Sequence, residues 1–166
     1  PSEKAILSRQ PHLMKPSQTK DGVGFSVIYR DQGQAWNVDD EHVFVKTQFR
    51  YYCHPLSRLG FPMPMLRREL IALRKCDRIG IDVPRVILYR ELGDMTELVI
   101  SGIADSFPFD EALELCTANR KLIIENAARV IGSLHRHGWT HGGLGNDHLL
   151  VQPGQQCRVN LIDLEK

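Results

Sequence analysis

A long helix gives way to a glycine-rich loop at Leu134-His135-Arg136-His137-Gly138-Trp139-Thr140-His141-Gly142. Upstream, apolar residues recur at helical spacing from about residue 118, and Gly138 stands where a helix is expected to end. Downstream, the loop runs through Gly143 and Gly145 to two short apolar runs, at residues 149–151 and 159–162, with a Pro-Gly pair between them. The sequence therefore predicts a helix, a loop and a late β-hairpin, in that order.

The first hundred residues predict mainly strands. Runs rich in β-branched and aromatic residues lie at residues 25–30, 42–47, 83–89 and 97–101, and the first two are predicted to form a hairpin. A proline-rich loop and one helix, with Gly80 where the helix should end, are predicted between the second and third runs. Residues 1–20 have no clear period and are predicted to form a loose arm. Strands with one helix, followed by a helical half, indicate an α+β fold with two lobes.

That helix, at about residues 65–79, carries a carboxylate on its apolar face. Projected at 100° per residue, Glu69 falls among Leu66, Leu70, Leu73 and Cys76. A carboxylate in an apolar stripe is costly unless it finds a cation, so Glu69 is expected to have a cationic partner from elsewhere in the fold. The alternative is a glutamate at the helix edge that reaches water.

Charge is unevenly distributed, although the net charge is only +1 and makes no case for nucleic acid. Residues 46–90 hold ten basic and three acidic residues, whereas residues 91–118 hold seven acids and neither lysine nor arginine. This asymmetry suggests that an anionic ligand or surface meets the first half, or else that both segments are solvated faces.

The overall composition is that of a globular protein. With 166 residues, 42% hydrophobic and 25% charged, the chain does not belong to the collagen-like, disordered or disulfide-scaffold classes. Four widely spaced cysteines without a C-x-x-C pair indicate reduced thiols in a cytoplasmic protein. The N-terminal residues lack the apolar core of a signal peptide, and no apolar run is long enough to cross a bilayer.

Four features together resemble one family: Val43-Phe44-Val45-Lys46, Glu69, His141-Gly142-Gly143-Leu144-Gly145-Asn146-Asp147-His148, and Ile162-Asp163-Leu164-Glu165-Lys166. Their order is similar to that of the lipopolysaccharide kinase (Kdo/WaaP) family, and most similar to its InaA branch. The resemblance runs from about residue 22 to residue 166. It implies a protein-kinase-like, two-lobed fold, with a β-rich N-lobe over residues 1–104 and a truncated helical C-lobe over residues 105–166.

The resemblance also implies a nucleotide site. Lys46 would grip the phosphates of ATP, with Glu69 as its helix partner. Gly22 and Gly24 would form the turn at the nucleotide. Ser101 and Ile103 would lie in the hinge between the lobes and offer backbone groups to adenine.

Metal and catalytic residues are implied in the same way. Asp163 and His148 match the Mg²⁺ ligands, and His141 matches the loop histidine that organises the backbone. The usual catalytic base position is occupied by Gly143, which cannot accept a proton. A base would have to come from Asp147, from the substrate's own surroundings, or be absent, and a positioned base contributes about 10²- to 10⁴-fold.

The function that the resemblance implies is ATP- and Mg²⁺-dependent phosphate transfer to a lipopolysaccharide-core or related envelope sugar. The expected partners are a nucleotide and an anionic glycolipid or membrane surface, which would place a cytoplasmic protein at the periphery of the inner membrane. The competing class is a catalytically impaired kinase-like protein that binds nucleotide or a partner as a scaffold.

The sequence leads to three further expectations. A metal sensor built on His135, His137, His141 and His148 is a third class of function, weakened by the absence of cysteine or carboxylate at ligand spacing. A dinucleotide fingerprint at Gly22-x-Gly24 is disfavoured because a strand, not a helix, follows it. The sequence stops three residues after Asp163, which suggests a fragment.

Overall fold

The computed structural model describes residues 17–18, 25–30, 43–54 and 59–164. The strands are β1 (Ser17–Gln18), β2 (Phe25–Arg30), β3 (Val43–Phe49), β4 (Tyr52–Cys53), β5 (Met63–Pro64), β6 (Val86–Leu92), β7 (Met95–Ser101), β8 (Phe107–Pro108), β9 (Leu149–Gln152) and β10 (Arg158–Leu161). The α-helices are α1 (Met65–Arg78), α2 (Phe109–Leu115) and α3 (Arg120–Arg136), with 3₁₀ turns at Thr117–Asn119 and Asn146–His148.

The described residues fall into two compact units. The first holds the described residues up to Leu70 together with Arg85–Gly102, and the second holds Ile71–Pro84 together with residues 103–164. The helix α1 therefore contributes its first half to one unit and its second half to the other. An α+β fold with a β-rich first part containing one helix, followed by helices, agrees with the prediction.

A five-stranded antiparallel sheet forms the first unit, in the order β1-β2-β3-β7-β6. The predicted hairpin of β2 and β3 is confirmed, with Ile28 opposite Lys46. On the other side of β3, Lys46 lies opposite Leu98 of β7. Strand β3 thus has a neighbour on each side, and two polar residues within it, Lys46 and Gln48, are buried.

The helix α1 has the predicted face. Leu66, Leu70, Leu73 and Cys76 are all buried, and so is Glu69 among them. The helix ends in a Schellman motif, in which the N–H of Ile81 donates to the carbonyl of Cys76 and that of Gly80 donates to Asp77, both at 3.0 Å. Gly80 supplies the left-handed residue that this motif requires, with φ +75°.

Some strand boundaries differ from the prediction. Strand β6 begins at Val86 rather than at residue 83, because Pro84 has no N–H to donate to a ladder. The two-residue strands β4 and β5, which pair Tyr52 with Pro64, were missed and expected to be a proline-rich loop. Two residues cannot display a period, so no sequence pattern marks them.

The second unit pairs α3 with a three-stranded sheet in the order β10-β9-β8. The late hairpin of β9 and β10 is confirmed, and α3 packs on β10. A second Schellman motif ends α3, since Trp139 N–H donates to the Leu134 carbonyl and Gly138 N–H to His135. The imidazole Nδ1 of His137 lies 2.8 Å from the Ser133 carbonyl, which agrees with a role in capping this end.

The four cysteines all lie in the described residues and are free thiols. Burial raises the pKa of the Cys76 thiol, since the thiolate would lose its hydration. Of the helices in the part of the chain that the structure describes, none combines the length and the hydrophobicity needed to cross a membrane.

Candidate active site

A buried ion pair joins the central strand of the first unit to α1. The Nζ atom of Lys46 donates to Oε1 of Glu69 at 2.8 Å, with 10% of the lysine side chain and none of the glutamate side chain exposed. The predicted cationic partner of Glu69 is therefore Lys46, and the alternative of a helix-edge glutamate is excluded. Both charges have left bulk water, so removing either one would cost the other a charged hydrogen bond in a buried site.

Local structure explains why the pair forms. The middle of β3 is held on both sides by hydrogen-bonded strands, which fixes the backbone of Lys46. Glu69 lies in the second turn of α1, beside the buried Leu66 and Leu70. An apolar environment on both elements lowers the effective dielectric constant and strengthens the attraction between the two groups.

The glycine-rich loop forms a second group of residues, in the second unit. His141 Nε2 lies 2.8 Å from the carbonyl of Ile162, and the Ile162 N–H donates to the carbonyl of His148 at 3.0 Å. The rings of His141 and His148 stack with centroids 5.1 Å apart. Both ends of the loop are thereby attached to the residue that precedes Asp163, as expected for a histidine that organises the backbone.

Two carboxylates face one nitrogen of His148. Its Nε2 lies 3.4 Å from Oδ2 of Asp163 and 3.9 Å from Oδ2 of Asp147. The other ring nitrogen, Nδ1, accepts a hydrogen bond from the N–H of Gly145 at 3.1 Å. A neutral ring that accepts at Nδ1 carries its proton on Nε2, so His148 presents a donor to the carboxylates.

Asp163 occupies an unusual backbone conformation. Its φ is +59°, in the left-handed region that costs a non-glycine residue energy and is tolerated best by Asp and Asn. Such conformations concentrate at functional sites, where the surrounding structure enforces them. Here the hydrogen bonds of the neighbouring Ile162 hold the segment in place.

The loop offers oxygen ligands for a magnesium ion but no complete set. In residues 43–54 and 59–164, no three His, Cys, Asp or Glu side chains are arranged to hold a metal by themselves. Mg²⁺ is usually held by one or two carboxylates, with water and phosphate oxygens completing its octahedron. The carboxylate of Asp163, which lies 3.4 Å from Nε2 of His148, fits that requirement.

A role for His148 as a metal ligand would cost the hydrogen bond from the Gly145 N–H. To present a lone pair at Nε2, the ring would have to carry its proton on Nδ1, which then could not accept from Gly145. In this structure the hydrogen bonds make His148 a donor beside the carboxylates, and its role as a metal ligand stays a prediction.

The base position carries no side chain, since Gly143 lies in the turn of the loop. Asp147, the nearest alternative in the sequence, has 78% of its side chain exposed. It lines a cleft of about 480 Å³ together with Asn146, Pro108 and three acids of α2 (Asp110, Glu111 and Glu114). Asp147 can therefore meet a molecule that enters this cleft from solvent.

Sequence reasoning treated Gly145 only as a loop residue. A Cβ atom added there would lie 2.5 Å from Oδ1 of Asp147, while the φ of −121° is open to any residue. Because of this close approach, the Gly145 N–H lies against Nδ1 of His148 and the Asp147 carboxylate lies against Gly145. No sequence signal beyond the glycine itself indicated this.

The remaining predicted residues are placed as follows. Ser101 is buried and bonded twice to Arg85: its N–H donates to the Arg85 carbonyl, and its Oγ accepts from the Arg85 N–H, both at 2.9 Å. The carbonyl of Ile103 accepts from the hydroxyl of Ser106 at 2.8 Å. Gly22 and Gly24 lie outside the described residues.

The ion pair makes a prediction for stability. Replacing Glu69 by Gln should lower the free energy of unfolding by about 3–5 kcal/mol, because the buried charge of Lys46 loses its ion pair with Glu69. The matched control is Glu125→Gln, whose 3.9 Å pair with Lys121 lies on the exposed face of α3 and should cost at most about 0.5 kcal/mol. Urea unfolding measures both, and equal losses would contradict the burial of the pair.

Comparisons with known proteins identify the family and support the fold. The profile of the lipopolysaccharide kinase (Kdo/WaaP) family matches residues 7–166. Among solved structures, the chain is similar to monomeric WbdD, with a TM-score of 0.53 and 18% identity over 76% of this chain and 30% of that chain. A structure of WbdD with the kinase inhibitor LY294002 is also similar, with a TM-score of 0.49 and 20% identity over 80% of this chain and 32% of that one.

The first of these structures supports an α+β fold like that of WbdD, of whose length this chain spans less than a third. No curated protein matches the sequence. Because the family profile covers all but the first six residues, the chain belongs to the lipopolysaccharide kinase (Kdo/WaaP) family.

Proposed function

We propose that this protein transfers the γ-phosphoryl group of ATP, with Mg²⁺, to a hydroxyl group of a lipopolysaccharide-core or related envelope sugar. Family membership implies kinase-like phosphotransfer and the use of ATP. The acceptor, the magnesium requirement and an origin in the InaA branch are our proposal. The observation that carries it is the buried pair of Lys46 and Glu69.

The pair suits a phosphate-binding role. Phosphoryl transfer needs little covalent chemistry from the protein and depends on positioning and on neutralising phosphate charge. An ammonium group has three donors, and the Glu69 bond at 2.8 Å restricts the directions in which the others point. We assign Lys46 to the nucleotide phosphates on this ground, with backbone groups at Ser101 and Ile103 as the predicted adenine contacts and Gly22 and Gly24 as the predicted phosphate turn.

The loop residues supply the remaining functions. Asp163 would hold Mg²⁺, which when bound neutralises charge on the phosphates. The Nε2–H of His148 would keep the Asp163 carboxylate oriented, as its 3.4 Å approach indicates. Asp147, exposed in the cleft beside α2, would accept the proton of the acceptor hydroxyl. The assignment of residues 1–104 and 105–166 to two kinase lobes remains a prediction.

A scaffold that binds nucleotide without turnover is the second candidate. The observation that favours it is Gly143, which leaves the usual base position without a side chain. Such a protein would still bind ATP through Lys46, and it would show no phosphate transfer with or without Asp147.

The two candidates differ in one assay. Incubation with radiolabelled ATP, Mg²⁺ and purified lipopolysaccharide core should label the core, and Asp163→Asn should reduce the transfer rate by more than 100-fold because the ion loses its carboxylate. The control is Asp77→Asn, an exposed acid on α1 with the same change of charge. Nucleotide binding without any labelling of the core would favour the scaffold. A protein that neither binds nucleotide nor labels the core would contradict the proposed function.

The base assignment has its own test. Asp147→Asn should lower kcat by about 10²- to 10⁴-fold without changing the Mg²⁺ concentration needed for half-maximal rate. Gly145→Ala should also lower kcat, since the added Cβ displaces the Asp147 carboxylate, while Gly132→Ala in α3 meets only Arg136 Nη1 at 3.9 Å and serves as the control. A raised Mg²⁺ requirement in Asp147→Asn would make Asp147 a metal ligand instead of the base.

We further propose contact with an anionic glycolipid or membrane surface. The segment preceding α1 leaves Leu59 89% and Phe61 66% exposed, close in sequence to Arg67 and Arg68. Large apolar side chains beside cations suit the interface of an anionic bilayer.

This contact predicts salt-dependent binding. The protein should sediment with phosphatidylglycerol-containing vesicles at low ionic strength and less in high salt or with neutral vesicles. The double variant Leu59→Ser/Phe61→Ser should weaken binding, whereas Leu115→Ser, an exposed residue of α2, should not. Absence of binding at low ionic strength would contradict the proposal.

A further inference from the structure

A second ionic contact holds α1 to the same sheet, through residues to which the proposed chemistry gives no role. Arg67 of α1 contacts Glu91 of β6, with Nε 3.1 Å from Oε1. The hydroxyl of Tyr89 donates to the same Oε1 atom at 2.5 Å. One carboxylate oxygen thus receives a charged donor from the helix and a neutral donor from its own strand.

The register of the sheet relates this contact to the buried pair. Lys46 lies opposite Leu98, and Leu98 lies opposite Tyr89, so the three residues form one row across β3, β7 and β6. Residues directly opposite each other in antiparallel strands project from the same face. The face that presents Lys46 to Glu69 at the centre of the sheet therefore presents Tyr89 at its edge.

The two contacts lie on different sides of α1. Arg67 and Glu69 are two residues apart, which places them about 200° apart around the helix axis. The buried apolar face of α1 already limits its rotation, and two ionic contacts on different sides of the axis limit the rotation further. Cross-strand pairing of Arg90 with Glu97, at 2.5 Å, supports the strand that carries the outer contact.

We propose that Arg67, Glu91 and Tyr89 are positioning residues that fix the rotation of α1 and so keep Glu69 on Lys46. The inference rests on the proposed function only for its consequence, the orientation of Lys46 toward nucleotide phosphates. Because the side chains of Arg67 and Glu91 are 45% and 35% exposed, solvent screens the contact and its effect is modest. Burial together with the hydrogen bond to Glu91 raises the pKa of Tyr89, so its donor stays protonated at physiological pH.

The test measures the reactivity of Lys46 apart from any catalysis. An amine-reactive ester with mass-spectrometric readout gives the labelling rate of Lys46, a residue only 8% exposed. Arg67→Ala should raise this rate about 2- to 5-fold, as expected for the loss of a half-exposed ionic contact. Arg68→Ala is the matched control, because Arg68 is on the same helix turn and forms no ion pair in the part of the chain described by the structure.

Conservative variants distinguish positioning from general destabilisation. Arg67→Lys should restore part of the protection, since it keeps the charge but not the guanidinium geometry. Glu91→Gln should raise the rate like Arg67→Ala, and the double variant should equal either single one, because both remove one contact. Additive effects, or an equal increase in Arg68→Ala, would overturn the proposal.

The readouts also separate this inference from the proposed function. The labelling experiment tests the contact of Arg67, Tyr89 and Glu91, here called the clamp, in the absence of nucleotide. If Lys46 protection falls as expected, the KM for ATP should rise in Arg67→Ala while kcat changes less. Loss of protection in a protein that binds no nucleotide at all would keep the clamp and reject the proposed function, whereas unchanged protection would reject the clamp.

Discussion

A charged pair removed from water joins the central strand of the first unit to α1. Lys46 and Glu69 come from a central strand and a helix, and neither can be buried alone without a penalty of several kcal/mol. Replacing such a pair by apolar residues is often neutral or stabilising, so its presence is weak support for a purely structural role. A protein that keeps the ion pair retains a lysine whose side chain has a fixed direction. Phosphate binding needs such a lysine, whereas packing alone does not require one.

The second unit fixes its polar groups through the backbone rather than through a buried charge. Gly145 donates to one side of His148, and the carbonyl and N–H of Ile162 engage His141 and the backbone of His148. Two carboxylates lie near the Nε2 of His148, and Asp163 has a left-handed conformation. The backbone bonds thus hold the two histidine rings beside Asp163, whereas the Asp147 side chain is largely exposed.

Sequence patterns predicted features that lie within one element or one hairpin, and they missed contacts between elements that are distant in the sequence. Glu69 was identified because helical periodicity shows its face directly, and the glycines after α1 and α3 were identified because a left-handed residue ends a helix. That Lys46 is the partner of Glu69 could be inferred only from the family resemblance, since the two residues are 23 positions apart in the sequence. Arg67, Glu91 and Tyr89 escaped notice because each is ordinary on its own element, and their convergence on one oxygen atom depends on the register of β6. The proton position on His148 likewise follows from the Gly145 backbone, which no residue pattern encodes.

The most direct measurement is a crystal structure of the protein with a non-hydrolysable ATP analogue and Mg²⁺. The account predicts that Nζ of Lys46 lies within about 3 Å of a phosphate oxygen while still bonded to Glu69, as a charge-assisted hydrogen bond requires. It also predicts electron density for the ion at the Asp163 carboxylate. Nucleotide phosphates bound away from Lys46, or an intact pair of Lys46 and Glu69 that the nucleotide does not touch, would contradict it.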